Sequence, residues 1–172
     1  AMANGRRAIF YVRFTFRNRT LTNNIELRPA TLIDVNELAE MSHRTILKKY
    51  PSVIGREKVE GYVASGLVPQ YYQANFANCV IAQHQSQIVG VCATKNNCVD
   101  LMMVTLDHHR TGIGSLLLRD AEERLVKTYE NLSLECFRDN IQAFNFYIKH
   151  GWSVKRHILD KENDIAMVEL VK

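Results

Sequence analysis

Residues 104–121, VTLDHHRTGIGSLLLRDA, decide the fold of this chain. An apolar strand is followed by a short basic loop, and an amphipathic helix begins at Gly112. The first N–H groups of such a helix lack intrahelical partners, and the helix dipole gives them partial positive charge. Gly112 and Gly114 let a phosphate approach the backbone, while His109 and Arg110 add side-chain donors. This junction therefore predicts an anion site.

Two common phosphate-binding motifs do not fit this junction. A phosphate-loop nucleotidase requires GxxxxGK[ST], and no lysine follows these glycines. A dinucleotide-binding fold requires GxGxxG, but Leu117 stands at the position of the third glycine. The remaining alternative from the residues alone is that the glycines only form a tight turn between strand and helix.

The hydrophobic periodicity of the rest of the chain predicts one α/β or α+β domain with a mixed sheet. A helix is expected between a capping box at Thr31 and Asp34 and the pair Tyr50-Pro51, and one or two helices are expected in 55–76, with breaks at Gly66 and Pro69. Two further helices are predicted over 112–129 and 141–149. Strands are predicted over 24–28, 78–83, 88–94, 98–106, 132–137, 152–159 and 165–171.

The charge of the chain is concentrated at its N-terminus. Residues 1–22 carry five arginines and no acid, so of the net charge of +4 the rest of the chain holds −1. A near-neutral body does not favour a nucleic-acid partner. One side of 8–16 is apolar throughout, with Ala8, Phe10, Val12, Phe14 and Phe16, which predicts an extra edge strand or a strand exchanged with a second copy in a homodimer. A targeting peptide, a nucleic-acid arm and, for Ala1-Met2-Ala3, a tag remnant are the alternatives.

The cysteines and the apolar runs bear on location. Cys79, Cys92, Cys98 and Cys136 form no CxxC pair and lie in predicted strands, which indicates buried free thiols rather than a metal site. No apolar run approaches the roughly 18 residues that a membrane helix needs. These features predict a cytoplasmic protein without a bound metal or a membrane anchor.

Two motifs resemble one known family. His109 to Gly114, HRTGIG, resembles the Q/R-x-x-G-x-G/A signature of the GNAT N-acetyltransferase superfamily, with His109 at the position of Gln or Arg. Asn140 to Trp152, NIQAFNFYIKHGW, resembles the family segment N-x-x-A-x-x-F-Y-x-x-x-G-F, with Trp152 in place of Phe. The resemblance covers 24–171. It implies an acyltransferase domain over 23–172 after an N-terminal extension over 1–22.

The resemblance also implies a fold and a cosubstrate. The fold is a mostly antiparallel sheet of six to seven strands flanked by about four helices, with a V-shaped splay between two central parallel strands that a bulge near Met102–Val104 would open. The cosubstrate is acetyl-CoA. The residues expected to bind it are Met102, Met103, Val104, His109, Arg110, Thr111, Gly112, Ile113, Gly114, Ser115, Asn140 and Tyr147.

Two residues are candidates for proton transfer. Tyr147 matches the family tyrosine near the thioester sulfur and is predicted to be the general acid, although its spacing alone would suit a packed helix face. Asp100 is the candidate base if it faces the cleft, and His108 is the alternative. The expected reaction is transfer of an acetyl group to a primary amine of a small molecule or a protein. A non-catalytic acyl-CoA-binding regulatory module is the second hypothesis, and a toxin that acetylates aminoacyl-tRNA is disfavoured by the near-neutral body.

Overall fold

The computed structural model describes residues 24–161 and 164–172. Residues 1–22, with the predicted extra strand, lie outside the described residues, so the domain boundary at residue 23 and the homodimer stay predictions. The described chain forms a seven-stranded sheet in the order β1-β2-β3-β4-β5-β7-β6. Its strands are β1 (Ile25–Pro29), β2 (Cys79–His84), β3 (Gln87–Lys95), β4 (Cys98–Val104), β5 (Ser133–Phe137), β6 (Ser153–Asp160) and β7 (Ile165–Val171).

Six α-helices are present in the described part of the chain, rather than about four. They are α1 (Val35–Lys49), α2 (Pro51–Ile54), α3 (Arg56–Ala64), α4 (Leu67–Asn75), α5 (Ile113–Leu125) and α6 (Ile141–Lys149). The helical segment is divided at Gly55 and Gly66, which have φ values of 91° and 75°. The predicted break at Pro69 was wrong, because Pro69 lies in the first turn of α4, where a missing N–H costs no helical hydrogen bond. None of the described helices is long and apolar enough to cross a membrane.

The two faces of the sheet carry separate cores, because the helices lie on both sides of it. On one face α5 buries Leu116, Leu117, Ala121 and Leu125, the side predicted from its periodicity. On the other face α1 and α4 pack through residues such as Leu38, which is fully buried. All four cysteines are free and lie in strands of this sheet.

The start of α1 is held by a buried carboxylate. Asp34 accepts hydrogen bonds from the Thr31 backbone N–H and hydroxyl, at 2.7 and 2.8 Å, which confirms the capping box. Both terminal nitrogens of Arg28 also donate to Asp34, at 2.8 and 2.7 Å. The hydrogen bonds from Arg28 hold the pKa of Asp34 well below its usual range. The ion pair joins β1 to the first turn before α1.

The splay lies between β4 and β5, the parallel pair in this otherwise antiparallel sheet of described strands. These two strands pair only at Cys98 with Ser133 and at Val99 with Leu134. The register between β3 and β4 shifts at Asp100, which is the extra residue of a bulge. The expected bulge near Met102–Val104 therefore occurs two residues earlier. Beyond it the carboxyl ends of β4 and β5 diverge.

Candidate active site

A cavity of about 560 Å³ opens where β4 and β5 diverge. Ten of the twelve residues predicted to bind the cofactor line it. These are Met102, Met103, Val104, His109, Arg110, Gly112, Gly114, Ser115, Asn140 and Tyr147. The cavity is also lined by Tyr50, which the sequence suggested as a pocket residue, and by residues that it did not single out, among them Thr45, Lys49, Gln142 and Lys149.

The other two predicted residues lie beside the cavity. Ile113 is 1% exposed and belongs to the core beneath the loop. Thr111 is exposed, and its hydroxyl donates to the carbonyl of His108 at 2.7 Å. Their side chains support the loop, so any contact they make with a ligand is through the backbone.

The first turn of α5 faces the cavity. Gly112 is the N-cap residue and has a φ of 90°, in the left-handed region that favours glycine. A Cβ at Gly112 would meet no atom within 4 Å, so the backbone there is open to a ligand. At Gly114 a Cβ would lie 3.5 Å from the ring of Phe146, because α5 packs closely against α6. The open backbone and the free N–H groups of the first turn form a cradle that fits a phosphate group.

The charge of the cavity lining has one sign. Lys49, Arg110 and Lys149 line it, and the described residues around it include no Asp or Glu. Burial lowers the pKa of Lys49. An anionic ligand would therefore be favoured in this cavity.

The side chain of His109 links the end of β4 to Gln142 on α6, and Gln142 in turn binds Lys49 at the end of α1. Its Nε2 lies 2.9 Å from the carbonyl oxygen of Val104, and its Nδ1 lies 3.3 Å from Nε2 of Gln142. The Lys49 ammonium donates to Oε1 of the same Gln142 at 2.7 Å. No local sequence pattern identifies Lys49 and Gln142 as site residues, because both belong to the site only through contacts between parts of the chain that are distant in sequence.

Tyr147 lies at the α6 side of the cavity. It is 7% exposed and makes T-shaped ring contacts with Phe146 and Trp152, at centroid distances of 5.3 and 6.2 Å. Burial raises the pKa of Tyr147, so its hydroxyl keeps its proton across the neutral range. None of the described side chains hydrogen-bonds to that hydroxyl. It is therefore available to a ligand in the cavity.

Asn140 has the two roles that its position suggested. Its side-chain oxygen accepts a hydrogen bond from the Ala143 backbone N–H at 3.3 Å, which caps α6. It also lines the cavity and is 6% exposed. The cap fixes the start of α6 and thereby the direction in which Tyr147 projects.

Asp100 lies outside the cavity lining. Its side chain is exposed at the bulge of β4 and accepts a hydrogen bond from the Tyr71 hydroxyl at 2.5 Å. Burial and this hydrogen bond raise the pKa of Tyr71. Asp100 is therefore not placed to contact a substrate in the cavity directly. In the part of the chain that the structure describes, no three His, Cys, Asp or Glu side chains group as a metal site.

The β4–β5 splay thus opens onto a cationic helix N-terminus and a buried tyrosine. A family model described as an acetyltransferase (GNAT) domain matches residues 49–172. The chain therefore belongs to the GNAT acetyltransferase family, and the members of this family use acetyl-CoA.

Solved structures share this fold at low sequence identity. A GCN5-related N-acetyltransferase from Rhodopseudomonas palustris is 19% identical with a TM-score of 0.74, over 85% of this chain and 93% of its own. The PaiA N-acetyltransferase from Thermoplasma acidophilum, solved in complex with coenzyme A, is 20% identical with a TM-score of 0.70, over 84% and 97%. YncA from Salmonella typhimurium, solved with acetyl-CoA, is 12% identical with a TM-score of 0.64, over 87% and 93%.

Proposed function

We propose that this protein is an N-acetyltransferase that transfers the acetyl group of acetyl-CoA to a primary amine of a small molecule or a protein. The observation that carries the proposal is the cavity at the open end of the β4–β5 splay. It joins a cationic helix N-terminus to the buried hydroxyl of Tyr147. The phosphate end of a thioester such as acetyl-CoA would contact the helix N-terminus, and its thioester end would lie near the Tyr147 hydroxyl.

The acyl donor, acetyl-CoA, would be held mainly by backbone groups. The first turn of α5 and the side chain of Arg110 supply N–H donors for the diphosphate. The backbone of Met102–Val104 lies beyond the last β4–β5 pair, so β5 leaves that edge to the pantetheine arm, apart from the Val104 carbonyl that His109 binds. Backbone N–H groups held by a strand also suit the negative charge that develops on the acetyl oxygen.

The chemistry requires two proton movements. The thioester supplies the acetyl group: a bond forms between its carbonyl carbon and the amine nitrogen, and the carbon–sulfur bond breaks. Tyr147 would donate its hydroxyl proton to the leaving sulfur; the hydroxyl is protonated and has no partner among the described side chains, which supports this role. The amine must reach the carbon as a neutral group and must lose a proton after the attack.

The base that takes the amine proton is Asp100 in this proposal, acting through water. Asp100 is exposed and lies on β4, two residues before Met102. Because it does not line the cavity, at least one water molecule is needed to connect it with the amine. Tyr71 would act as a positioning residue, since its hydroxyl donates to the Asp100 carboxylate.

The shape of the cavity supports two substrates that meet within the sheet. Thr45 and Tyr50 line it from the end of α1, on one face of the sheet, and Phe146 and Tyr147 line it from α6, on the other. The acyl donor would lie on the α5–α6 side. The amine would then approach from the α1 side.

Thermal unfolding with acetyl-CoA, with NAD and ATP as controls, tests the binding part. At a ligand concentration 100 times Kd, binding adds about 2.7 kcal/mol to the free energy of unfolding. For a domain of this size we expect a rise in Tm of roughly 5–11 °C. No shift with acetyl-CoA, at a concentration that stabilises a known CoA enzyme, would contradict the proposal.

Thiol release with a panel of amines tests the catalytic part. Acetylated product confirms an enzyme. Binding of acetyl-CoA without product from any small amine or peptide would instead support the non-catalytic binding module.

A further inference from the structure

His150 lies between the two helices that frame the phosphate end of the cavity. Its Nδ1 lies 2.7 Å from the carbonyl oxygen of Phe146, and its Nε2 lies 2.9 Å from Oγ of Ser115. A carbonyl oxygen can only accept, so Nδ1 must carry a hydrogen and donate it. In a neutral imidazole this leaves Nε2 without a hydrogen, and Nε2 must then accept from the Ser115 hydroxyl.

This polarity is unfavourable for an anion. Ser115 lies in the first turn of α5 and lines the cavity. Its single hydroxyl hydrogen is directed to His150, so the oxygen presents lone pairs to the cavity. A phosphate oxygen placed there would face a second acceptor.

Protonation of His150 reverses the polarity. An imidazolium donates from both nitrogens, so Nε2–H would donate to Ser115 Oγ and the hydroxyl hydrogen would turn to the cavity. His150 is the C-cap residue of α6, and its Nε2 lies against the first turn of α5, whose partial positive charge a bound anion would offset.

We propose that His150 is a positioning residue whose protonation is coupled to the binding of the acyl donor's diphosphate. One proton moves from the solvent to Nε2, and Ser115 changes from a hydrogen-bond acceptor to a donor toward the phosphate. No covalent bond other than N–H is made. The inference rests on the proposed function, because it requires a phosphate at the start of α5.

Of the other charged groups near His150, one pair is balanced and two cations are not. Lys172 donates to the backbone carbonyl of His150 and to a carboxylate oxygen of Glu122, at 2.8 Å each. Lys149 precedes His150 on α6 and lines the cavity, and Arg119 lies one turn after the start of α5 and is exposed. The lysine–glutamate pair cancels, and the two remaining cations oppose a proton on His150. A bound diphosphate is therefore the change in charge that would favour it.

Calorimetric titration of the protein with CoA at pH 7, in several buffers of different ionisation enthalpy, tests the coupling. We expect the observed enthalpy to vary with the buffer in the sense of proton uptake. Uptake should persist with dephospho-CoA, which keeps the diphosphate, and should disappear with pantetheine, which has no phosphate.

Two variants and a control connect the uptake to His150. His150→Gln and Ser115→Ala should still bind CoA, with the uptake reduced or lost, and His150→Gln should bind about 10-fold more weakly than the wild type at pH 6. His157→Gln, an exposed histidine on β6, should behave as the wild type. In the ligand-free protein, ¹⁵N NMR should show hydrogen on Nδ1 of His150.

The outcomes separate the two proposals. If CoA does not bind at all, the proposed function fails. If CoA binds without proton uptake, if uptake is unchanged in His150→Gln, or if the hydrogen is on Nε2 of the free protein, the role of His150 is wrong while the acetyltransferase proposal stands.

Discussion

Nε2 of His109 lies 2.9 Å from the carbonyl oxygen of Val104, so the loop that precedes α5 is bound to the last residue of β4. The directions of the hydrogen bonds that His109 makes follow from the groups at the two ends of the series, the Lys49 ammonium and the Val104 carbonyl. Lys49 can only donate, so it binds Oε1 of Gln142 and directs the amide nitrogen toward Nδ1 of His109. His109 therefore carries its hydrogen on Nε2 and donates it to Val104. The chain of bonds stabilises the loop in one position across the cavity mouth.

Gln142→Met should loosen this loop. The amide bonds are lost while the length of the side chain is kept, so we expect KM for acetyl-CoA to rise roughly 3- to 10-fold, the equivalent of one ordinary hydrogen bond, with kcat little changed. Gln73→Met, at an exposed site on α4, is the matched control. Steady-state kinetics with varied acetyl-CoA measures both constants, and an unchanged KM would exclude a role for Gln142 in holding the loop.

Tyr147→Phe should act on the chemical step. The hydroxyl has no partner among the described side chains, so its removal should leave the free energy of unfolding nearly unchanged. We expect kcat to fall by roughly 10²–10⁴ while the Kd for CoA stays the same, since general acid catalysis contributes about that factor.

Tyr129→Phe is the control for that substitution, because Tyr129 packs against the core beneath α5 and does not line the cavity. Stopped-flow or steady-state thiol release measures kcat. A Tyr147→Phe variant with the kcat of the wild type would remove Tyr147 from the acid role.

Gly112→Ala should separate backbone strain from ligand exclusion. Gly112 and Gly66 are both in the left-handed region, with φ of 90° and 75°; a Cβ would meet no atom within 4 Å at Gly112 and only the end of the Gln70 side chain, at 3.6 Å, at Gly66. Both alanine variants should therefore lose a similar free energy of unfolding, about 1–2 kcal/mol, from the left-handed backbone alone.

Only Gly112→Ala should also lose CoA binding, because its new methyl group lies at the cradle, whereas Gly66 lies between α3 and α4. Urea unfolding and calorimetry measure the two effects. Equal CoA affinity in the two variants would show that the phosphate does not approach Gly112.

Asp34→Asn should lower the free energy of unfolding by an amount that depends on pH. Since the folded pKa of Asp34 is lowered, its stabilising effect is present above its unfolded pKa of about 3.9 and is lost as the pH falls toward the folded value. We expect a loss of about 2–3 kcal/mol at pH 7, because two charged hydrogen bonds from Arg28 are broken. The difference from the wild type should shrink below pH 4.

Asp139→Asn provides a matched control, since the Arg138–Asp139 pair is 58% exposed on both sides and should contribute little to the free energy of unfolding. Urea titrations at pH 7 and pH 3.5 give the free energies. A difference between Asp34→Asn and the wild type that does not depend on pH would contradict the role of the carboxylate.

The local patterns predicted most elements because each depends on neighbours a few residues apart. The amphipathic spacing of α5 and the capping box at Thr31 are examples, and both are confirmed. The segment after α1 was harder to predict, because its short helices end at Gly55 and Gly66 and continue through Pro69. The bulge at Asp100 carries no signature in composition, since it depends on how β3 and β4 pair.

The sequence by itself determined the glycine-containing loop and the helix that follows it, because glycine spacing, strand end and helix start are adjacent in the chain. It also placed Tyr147 and Asn140 on one helix in the order that the family shares. Only the tertiary structure decided which distant groups meet there. Lys49 and Gln142 are 93 residues apart and Ser115 and His150 are 35 apart, so their contacts depend on the packing of α1, α5 and α6 around the open sheet. Hydrogen-bond direction is a property of those contacts, and it exists only once the helices are packed.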